Sequence, residues 1–187
     1  MLSLSMTYYV RNLPHWQPSG VDIFITWRLH GSLPARRCPK AKTLGNGGKA
    51  FVRFDRVLDQ AQSGPLWLKD PRIAETIITA LHVSEQRKIL TLRAYVLMAN
   101  HVHVLLTPQA AIHEITRQIK GATARQANLI LRHSGAPFWQ DESFDHWIRT
   151  PGEWQKIRTY IEQNPVAAGL VEKPEDWPWS SASRPVQ

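Results

Sequence analysis

The sequence predicts an α+β fold with a central antiparallel sheet and helices on one face of it. Segments rich in apolar and β-branched residues alternate along the chain with segments that repeat apolar residues at helical spacing. The strand-like segments are residues 21–29, 90–98, 101–107 and 143–149. The helix-like segments are residues 70–87, 111–131 and 151–164. The order β, α, β, β, α, β, α is typical of compact α+β domains.

The first half of the chain contributes a strand, a loop and a helix. Residues 21–29 alternate apolar and polar side chains, as a half-buried strand does. Residues 31–49 are rich in Gly, Pro, Lys and Arg and predict a loop, and residues 50–62 fit a short helix. A helix begins after Asp70 and runs to about Arg87. Its apolar stripe is Ile73, Ile77 and Leu81.

A hairpin and a long helix follow. Residues 90–98 and 101–107 are both rich in β-favouring side chains and are separated by a short turn. Residues 111–131 predict an amphipathic helix, and residues 143–149 add a short strand. The stripe of the long helix is Ile112, Ile115, Ile119 and Ala122.

The last helix has clear start and stop signals. Thr150 is a suitable N-cap and Pro151 suits the first helical position. Pro165 is expected to end the helix at about Asn164, because the residue before a proline is pushed out of the α region. The apolar stripe of this helix is Trp154, Ile157 and Ile161.

Two histidines stand at the start of the second hairpin strand. Side chains alternate between the faces of a strand, so His101 and His103 project from one face and Val102 packs on the other. Two adjacent imidazoles are half of a divalent metal site. They could instead be two core or surface histidines.

A tyrosine and an asparagine lie one turn apart on the last helix. Tyr160 and Asn164 are four residues apart and therefore share one side of it. A phenol oxygen is a potential nucleophile, and an amide oxygen is a ligand for a hard cation. The alternative is an ordinary core tyrosine and a C-cap asparagine.

These motifs together resemble a known family. The segments MANHVHVLLTP (98–108), FWQDESFDHWIR (138–149), YIEQNPVAAGLV (160–171) and DWPWSSA (176–182) are similar to those of the single-tyrosine HUH transposases. The closest likeness is to the bacterial branch associated with repetitive extragenic palindromes (REP). The resemblance runs from about Val21 to Ala182.

The resemblance implies a ferredoxin-like or RRM-like HUH domain that nicks single-stranded DNA and transfers the strand at palindromic hairpins. It implies that His101 and His103 bind Mg²⁺ or Mn²⁺, and that Tyr160 forms a 5′-phosphotyrosine bond. Asn164 matches the third metal ligand, where some relatives carry Gln. The enzyme would be a monomer or a homodimer, and the sequence leaves open whether the tyrosine acts in cis or in trans.

Composition supports a single globular domain over residues 1–187, with 1–20 as an N-terminal extension. Residues 166–187 are expected to form a tail that packs back through Trp177 and Trp179. Met6 is an alternative start to Met1. The single cysteine excludes an internal disulfide, and no segment approaches the ~20 apolar residues of a membrane span. We therefore expect a cytoplasmic, nucleoid-associated bacterial protein without a membrane partner.

Basic residues suggest where DNA binds. The net charge of +8 favours an anionic partner, with nucleic acid first. One group of cations lies in the 31–49 loop and another on the 111–131 helix; both are candidates for phosphate contact, and both are compatible with simple solvation. The candidate DNA-binding residues are Arg36, Arg37, Lys40, Lys42, Arg117, Lys120 and Arg125.

Three other functions are compatible with the sequence. The first is a hairpin-binding protein of the same fold that has lost cleavage, and it would ignore chelators. The second is a metal hydrolase that uses the histidines and a water, and it would form no covalent adduct. The third is an RRM-like RNA-binding module, which would need exposed aromatic residues on its central strands.

Overall fold

The computed structural model describes residues 7–10, 14–17, 20–33, 58 and 64–186. Within these, β1 (Thr7–Val10) and β2 (Pro14–Gln17) form a separate antiparallel hairpin in the segment that we expected to be an extension. The predicted loop is described only at residues 31–33. The predicted short helix over 50–62 is described at Leu58, which is helical and buried.

A four-stranded antiparallel sheet forms the centre of the protein, as predicted. Its strands lie in the order β4-β5-β3-β6, so β5 and β3 are central. The strands are β3 (Ile23–Arg28), β4 (Leu90–Leu97), β5 (His101–Pro108) and β6 (Phe144–Trp147).

Helices cover both faces of the sheet, which corrects the expectation that they lie on one face. Helices α1 (Pro71–Gln86) and α2 (Ile112–Leu131) pack on one face, and α3 (Pro151–Ala167) packs on the other. The reason is that the strands bury both sets of alternating side chains: Ile25 of β3 packs towards α1 and α2, whereas Phe24 packs towards α3. We call these the α1/α2 face and the α3 face.

A β-bulge in β4 supports this arrangement. The register between β4 and β5 shifts between Leu92 and Ala94. Because of the extra residue, Leu92 packs on the α1/α2 face while Ala94, two positions later, packs on the α3 face. The bulge residue Arg93 donates a hydrogen bond to Thr107 of β5 at 3.0 Å.

The caps and stripes of α1 and α2 follow the sequence, with one exception. Asp70 caps α1 by accepting from the Arg72 N–H at 3.0 Å, and the predicted α1 stripe is fully buried. In α2 the predicted stripe is buried up to Ile119, but Ala122 is exposed. The buried row continues at Thr123, because the stripe advances by four residues at this point.

Helix α3 begins as predicted and ends later than predicted. The Thr150 side chain accepts a hydrogen bond from the Glu153 N–H at 3.2 Å. Pro165 lies inside the helix and is buried. A proline in the last turn removes one intrahelical hydrogen bond, which the remaining turn tolerates. The helix instead ends before Gly169, whose φ of 70° is the left-handed conformation common at helix C-termini.

The segment after α3 returns along the edge of the sheet. The Trp177 indole N–H donates to the Leu97 carbonyl at 2.9 Å, and the Leu97 N–H donates to the Trp179 carbonyl at 2.9 Å. Ser180 forms an antiparallel bridge with Val96 of β4. This C-terminal segment therefore covers part of the exposed edge of β4. No helix in the described ranges is long and apolar enough to cross a membrane.

Candidate functional site

The two predicted histidines lie on the α3 face at the start of β5. Both side chains are fully buried, and Val102 between them packs on the opposite face, as predicted. The Nε2 atoms of His101 and His103 are 3.1 Å apart. Two imidazole nitrogens therefore meet at one point beneath α3.

Helix α3 brings the predicted tyrosine and asparagine to the same point. The Asn164 amide is 3% exposed, and its Nδ2 lies 3.4 Å from His103 Nε2. The Tyr160 ring lies edge-on to the His103 ring, with centroids 5.8 Å apart. Side chains from β5 and from a helix some sixty residues downstream thus converge. The nitrogen and oxygen of an amide can exchange places by rotation about its last torsion, so either edge of Asn164 can face the histidines.

Two further buried polar residues contact the histidines, and neither contact was predicted from the sequence. Asn100 Oδ1 lies 2.7 Å from His101 Nδ1. Thr26 Oγ1 lies 2.7 Å from His103 Nδ1. Asn100 directly precedes the histidine pair, so its position in the turn was a usable signal. Thr26 is reached only through the pairing of β3 with β5, and no local pattern gives that register.

Aromatic rings enclose the site on the sheet side. Phe24 stacks on His103, with ring centroids 5.6 Å apart and an interplanar angle of 25°. The same ring meets Tyr160 and Phe144 edge-on, at 6.3 and 6.4 Å. These contacts hold the His103 and Tyr160 rings in fixed relative positions and keep water from one side of the imidazole.

The first turns of α3 are anchored to the sheet by polar contacts. The Trp154 indole N–H donates to Asp22 Oδ2 at 2.7 Å. Glu153 accepts from the Arg149 N–H at 2.7 Å and pairs with His146 Nε2 at 2.8 Å. Burial alone would raise the pKa of the Glu153 carboxyl, but these hydrogen bonds and the nearby charges outweigh it, so the pKa lies below its ordinary value.

Those predicted DNA-binding cations that the structure describes lie away from this site. Arg117 and Arg125 are exposed on α2, on the far side of the sheet from the histidines. The Lys120 ammonium donates to the carbonyls of Gln140 and Asp141, at 2.6 and 2.8 Å. Four candidates lie outside the described residues: Arg36, Arg37, Lys40 and Lys42. All seven roles stay predictions.

Other cations flank the α3 face. Arg28 of β3 is the cross-strand partner of His101, so both side chains leave the same face of the sheet. Arg93 hydrogen-bonds Thr107, and Arg158 of α3 lies over the Trp154 ring at 5.7 Å. The positions of these three arginines were not predicted, because they depend on strand register and on where α3 crosses the sheet.

The donor set fits a divalent cation. The described residues contain no group of three or more His, Cys, Asp or Glu side chains placed to hold a metal ion. The candidate ligands His101, His103 and Asn164 are two imidazoles and an amide, and such neutral donors suit Mn²⁺ and Mg²⁺ in a mixed nitrogen and oxygen site. Because these ligands carry no negative charge, an anionic substrate group would complete the coordination favourably.

Comparisons with known proteins identify the family of the chain and its fold. Residues 66–164, more than half of the chain, match the family model described as Transposase IS200 like. A Haemophilus influenzae protein that carries the name REP-associated tyrosine transposase is 41% identical over 56 residues. That match spans 30% of this chain and 31% of the relative, so the chain covers less than a third of the relative's length.

A solved structure has the same fold. It is described as a REP-associated tyrosine transposase bound to a REP hairpin, and the similarity covers 98% of this chain and 84% of that one. The TM-score is 0.56 and the sequence identity is 19%. At this identity the likeness shows the fold, and it confirms the predicted α+β class with a central antiparallel sheet.

Proposed function

The chain belongs to the IS200-like transposase family, and from that membership we propose that it nicks and rejoins single-stranded DNA at palindromic hairpins. The observation that carries the proposal is the meeting of Tyr160 and Asn164 of α3 with His101 and His103 of β5. The hairpin substrate is supported by the structural relative, whose description names a bound REP hairpin.

In the proposed reaction Tyr160 is the nucleophile. Its phenol oxygen gives up its proton and forms a bond to phosphorus, the bond from phosphorus to the 3′ oxygen breaks, and the 3′ oxygen takes up one proton and leaves as a hydroxyl. The product is a 5′-phosphotyrosine. Because one phosphodiester bond replaces another, the reverse attack by a 3′-hydroxyl reseals DNA without another energy source.

His101, His103 and Asn164 would hold Mg²⁺ or Mn²⁺. A bound divalent cation would polarise a nonbridging oxygen of the scissile phosphate and offset its charge. Phe24 positions the reacting groups, because its ring contacts fix the His103 and Tyr160 rings relative to each other. Arg28, beside His101, adds positive charge for a phosphate on the same face.

Adduct formation tests the proposal. We expect the protein, incubated with an end-labelled single-stranded hairpin and Mn²⁺, to form a covalent protein–DNA adduct that EDTA prevents. Tyr160→Phe should form none and should still bind the hairpin, because it loses one oxygen and keeps the ring packing.

Tyr95→Phe is the matched control. Tyr95 is fully buried on the α1/α2 face, and its hydroxyl has no hydrogen-bond partner among the described residues. We expect this variant to form the adduct as wild type does. An adduct with Tyr160→Phe would refute the nucleophile. Hairpin binding by wild type without any adduct would instead favour a hairpin-binding protein that has lost cleavage.

A further inference from the structure

Each imidazole of the histidine pair has its own buried partner, and the two partners differ in chemistry. Asn100 and Thr26 are 2% and 3% exposed. Each lies 2.7 Å from the Nδ1 atom of one histidine. An amide oxygen can only accept a hydrogen bond, whereas a hydroxyl can donate or accept. The two partners therefore constrain the protonation of their histidines differently. The amide oxygen requires a proton on the nitrogen that faces it, whereas the hydroxyl does not.

The orientation of Asn100 fixes the proton of His101. Asn100 Nδ2 donates to the Leu58 carbonyl at 3.0 Å, so the amide oxygen is the edge that faces His101. His101 Nδ1 must then carry the proton, and a neutral His101 has its lone pair on Nε2. That is the form in which Nε2 can bind a metal.

His103 must hold its proton at the other nitrogen when no cation is present. The two Nε2 atoms are 3.1 Å apart, and His101 Nε2 is already the acceptor. A neutral His103 therefore donates from Nε2, its Nδ1 accepts, and the Thr26 hydroxyl donates to it. Asn164 Nδ2 lies 3.4 Å from this Nε2, and a half-turn of the amide would bring its oxygen to the His103 N–H instead.

Binding of a cation by the two Nε2 atoms would reverse this pattern at His103 alone. Both Nε2 lone pairs would then be needed for the cation, so the His103 proton would move to Nδ1. The Thr26 hydroxyl would change from donor to acceptor. One proton changes nitrogen, and the total number of protons stays the same. A residue that only donates or only accepts could not satisfy both states, and a hydroxyl can.

We propose that Asn100 and Thr26 are positioning residues for the metal site. Asn100 holds His101 permanently in its metal-binding tautomer, and Thr26 allows His103 to exchange tautomers when the cation enters. The inference rests on the metal site of the proposed function, and it assigns two residues outside the ligand set.

Imidazole nitrogen NMR tests this on the full-length protein. At mildly alkaline pH we expect metal-free His101 to carry its proton on Nδ1 and metal-free His103 to carry its proton on Nε2. Titration with Zn²⁺, a diamagnetic probe, should move His103 to the Nδ1–H form and leave His101 unchanged. Any other tautomer pair in the metal-free protein, or no change at His103 in the zinc-bound protein, overturns the proposal.

Variants of Thr26 supply a second measurement. We expect Thr26→Val, which keeps the volume and removes the hydroxyl, to weaken Mn²⁺ binding by about tenfold or more, measured by electron paramagnetic resonance. Thr26→Ser should restore binding to near the wild-type value. Equal Mn²⁺ affinity for wild type and Thr26→Val would overturn the role of Thr26.

These measurements separate this inference from the proposed function. They need neither DNA nor cleavage. The expected tautomers and metal affinities, found in a protein that forms no DNA adduct, would support the positioning roles and refute the nuclease. If Thr26→Val does not fold, the tautomers of the wild-type protein and the Mn²⁺ affinity of Thr26→Ser still test the proposal. A folded Thr26→Ser variant that does not bind Mn²⁺ would contradict the role of the hydroxyl.

Discussion

His101 and His103 are as buried as the aliphatic residues around them, although imidazole is a polar group. Burial of a polar group is costly unless it is hydrogen-bonded, and Asn100 and Thr26 supply those bonds. The same two contacts therefore stabilise the fold and orient the candidate ligands. The two buried histidines therefore contribute to the stability of the fold.

We expect His103→Ala to destabilise the protein by about 2 kcal/mol, because it leaves a cavity beside Phe24 and removes the partner of Thr26. Urea unfolding measures the decrease in stability. The control is His113→Ala, at an exposed position of α2, which should change stability by less than about 0.5 kcal/mol. Equal effects of the two substitutions would contradict a structural contribution from His103.

The placement of the histidines on one face was predictable, and their surroundings were not. The period-two alternation of a strand is a local rule, so His101 and His103 could be placed on one face from sequence. Thr26 and Phe24 meet His103 because β3 pairs with β5 in one particular register, 77 residues apart in the case of Thr26. That register depends on the packing of the whole sheet.

At the level of elements, α3 carries the candidate nucleophile and is held at its start and just beyond its end. Trp154 bonds Asp22 near the N-terminus, and Trp177, after the helix, bonds Leu97 of β4. The start and stripe of this helix were predicted from Thr150 and the apolar spacing. The end of the helix was predicted at Asn164, because the residue before a proline usually leaves the α region. The helix continues instead, because the buried Pro165 is tolerated in its last turn.

Glu153 makes the anchoring of α3 sensitive to acid. Its pKa in the folded protein is below the ordinary value of 4.5, so its stabilising effect is complete above that value and is lost as the pH falls through the folded pKa. We expect Glu153→Gln to be less stable than wild type near neutral pH, and the difference to shrink in acid. Urea unfolding at both conditions, with the exposed Glu175→Gln as control, tests this. A difference that grows in acid would contradict it.

The side of the sheet on which DNA binds can be tested with paired arginines. Arg93 and Arg158 lie on the α3 face, whereas Arg117 and Arg125 lie on α2 beyond the opposite face. We expect the double variant Arg93→Gln, Arg158→Gln to bind the hairpin more weakly than wild type. The slope of log affinity against log salt concentration should become shallower by about 0.7 for each phosphate that the protein no longer neutralises. The α2 pair, with the same change of charge, is the control. A larger effect from the α2 pair would assign DNA to the α1/α2 face.

For the whole molecule, the order of motifs carried more information than any one motif. The family predicted from the histidine pair, the Tyr–Asn pair and the Trp-Pro-Trp-Ser-Ser segment is confirmed by the match to the IS200-like transposases. The expectation of helices on one face failed because apolar residues at nearly every position from Val102 to Leu106 mean a strand buried on both sides. That run was visible in the sequence and predicts the second helical layer.

The arrangement of one chain also bears on whether the tyrosine acts in cis. Tyr160 and His103 of the same chain are in ring contact, and polar bonds attach α3 to the sheet at Trp154 and, through the following segment, at Trp177. We therefore expect cleavage in cis, so a mixture of Tyr160→Phe with the double variant His101→Gln, His103→Gln should form no DNA adduct. As the control, each variant is mixed separately with wild type. The amount of DNA adduct should then be proportional to the amount of wild-type protein in the mixture. An adduct from the two inactive variants together would mean that one subunit's tyrosine serves the other's histidines, and that α3 leaves its place on the sheet to do so.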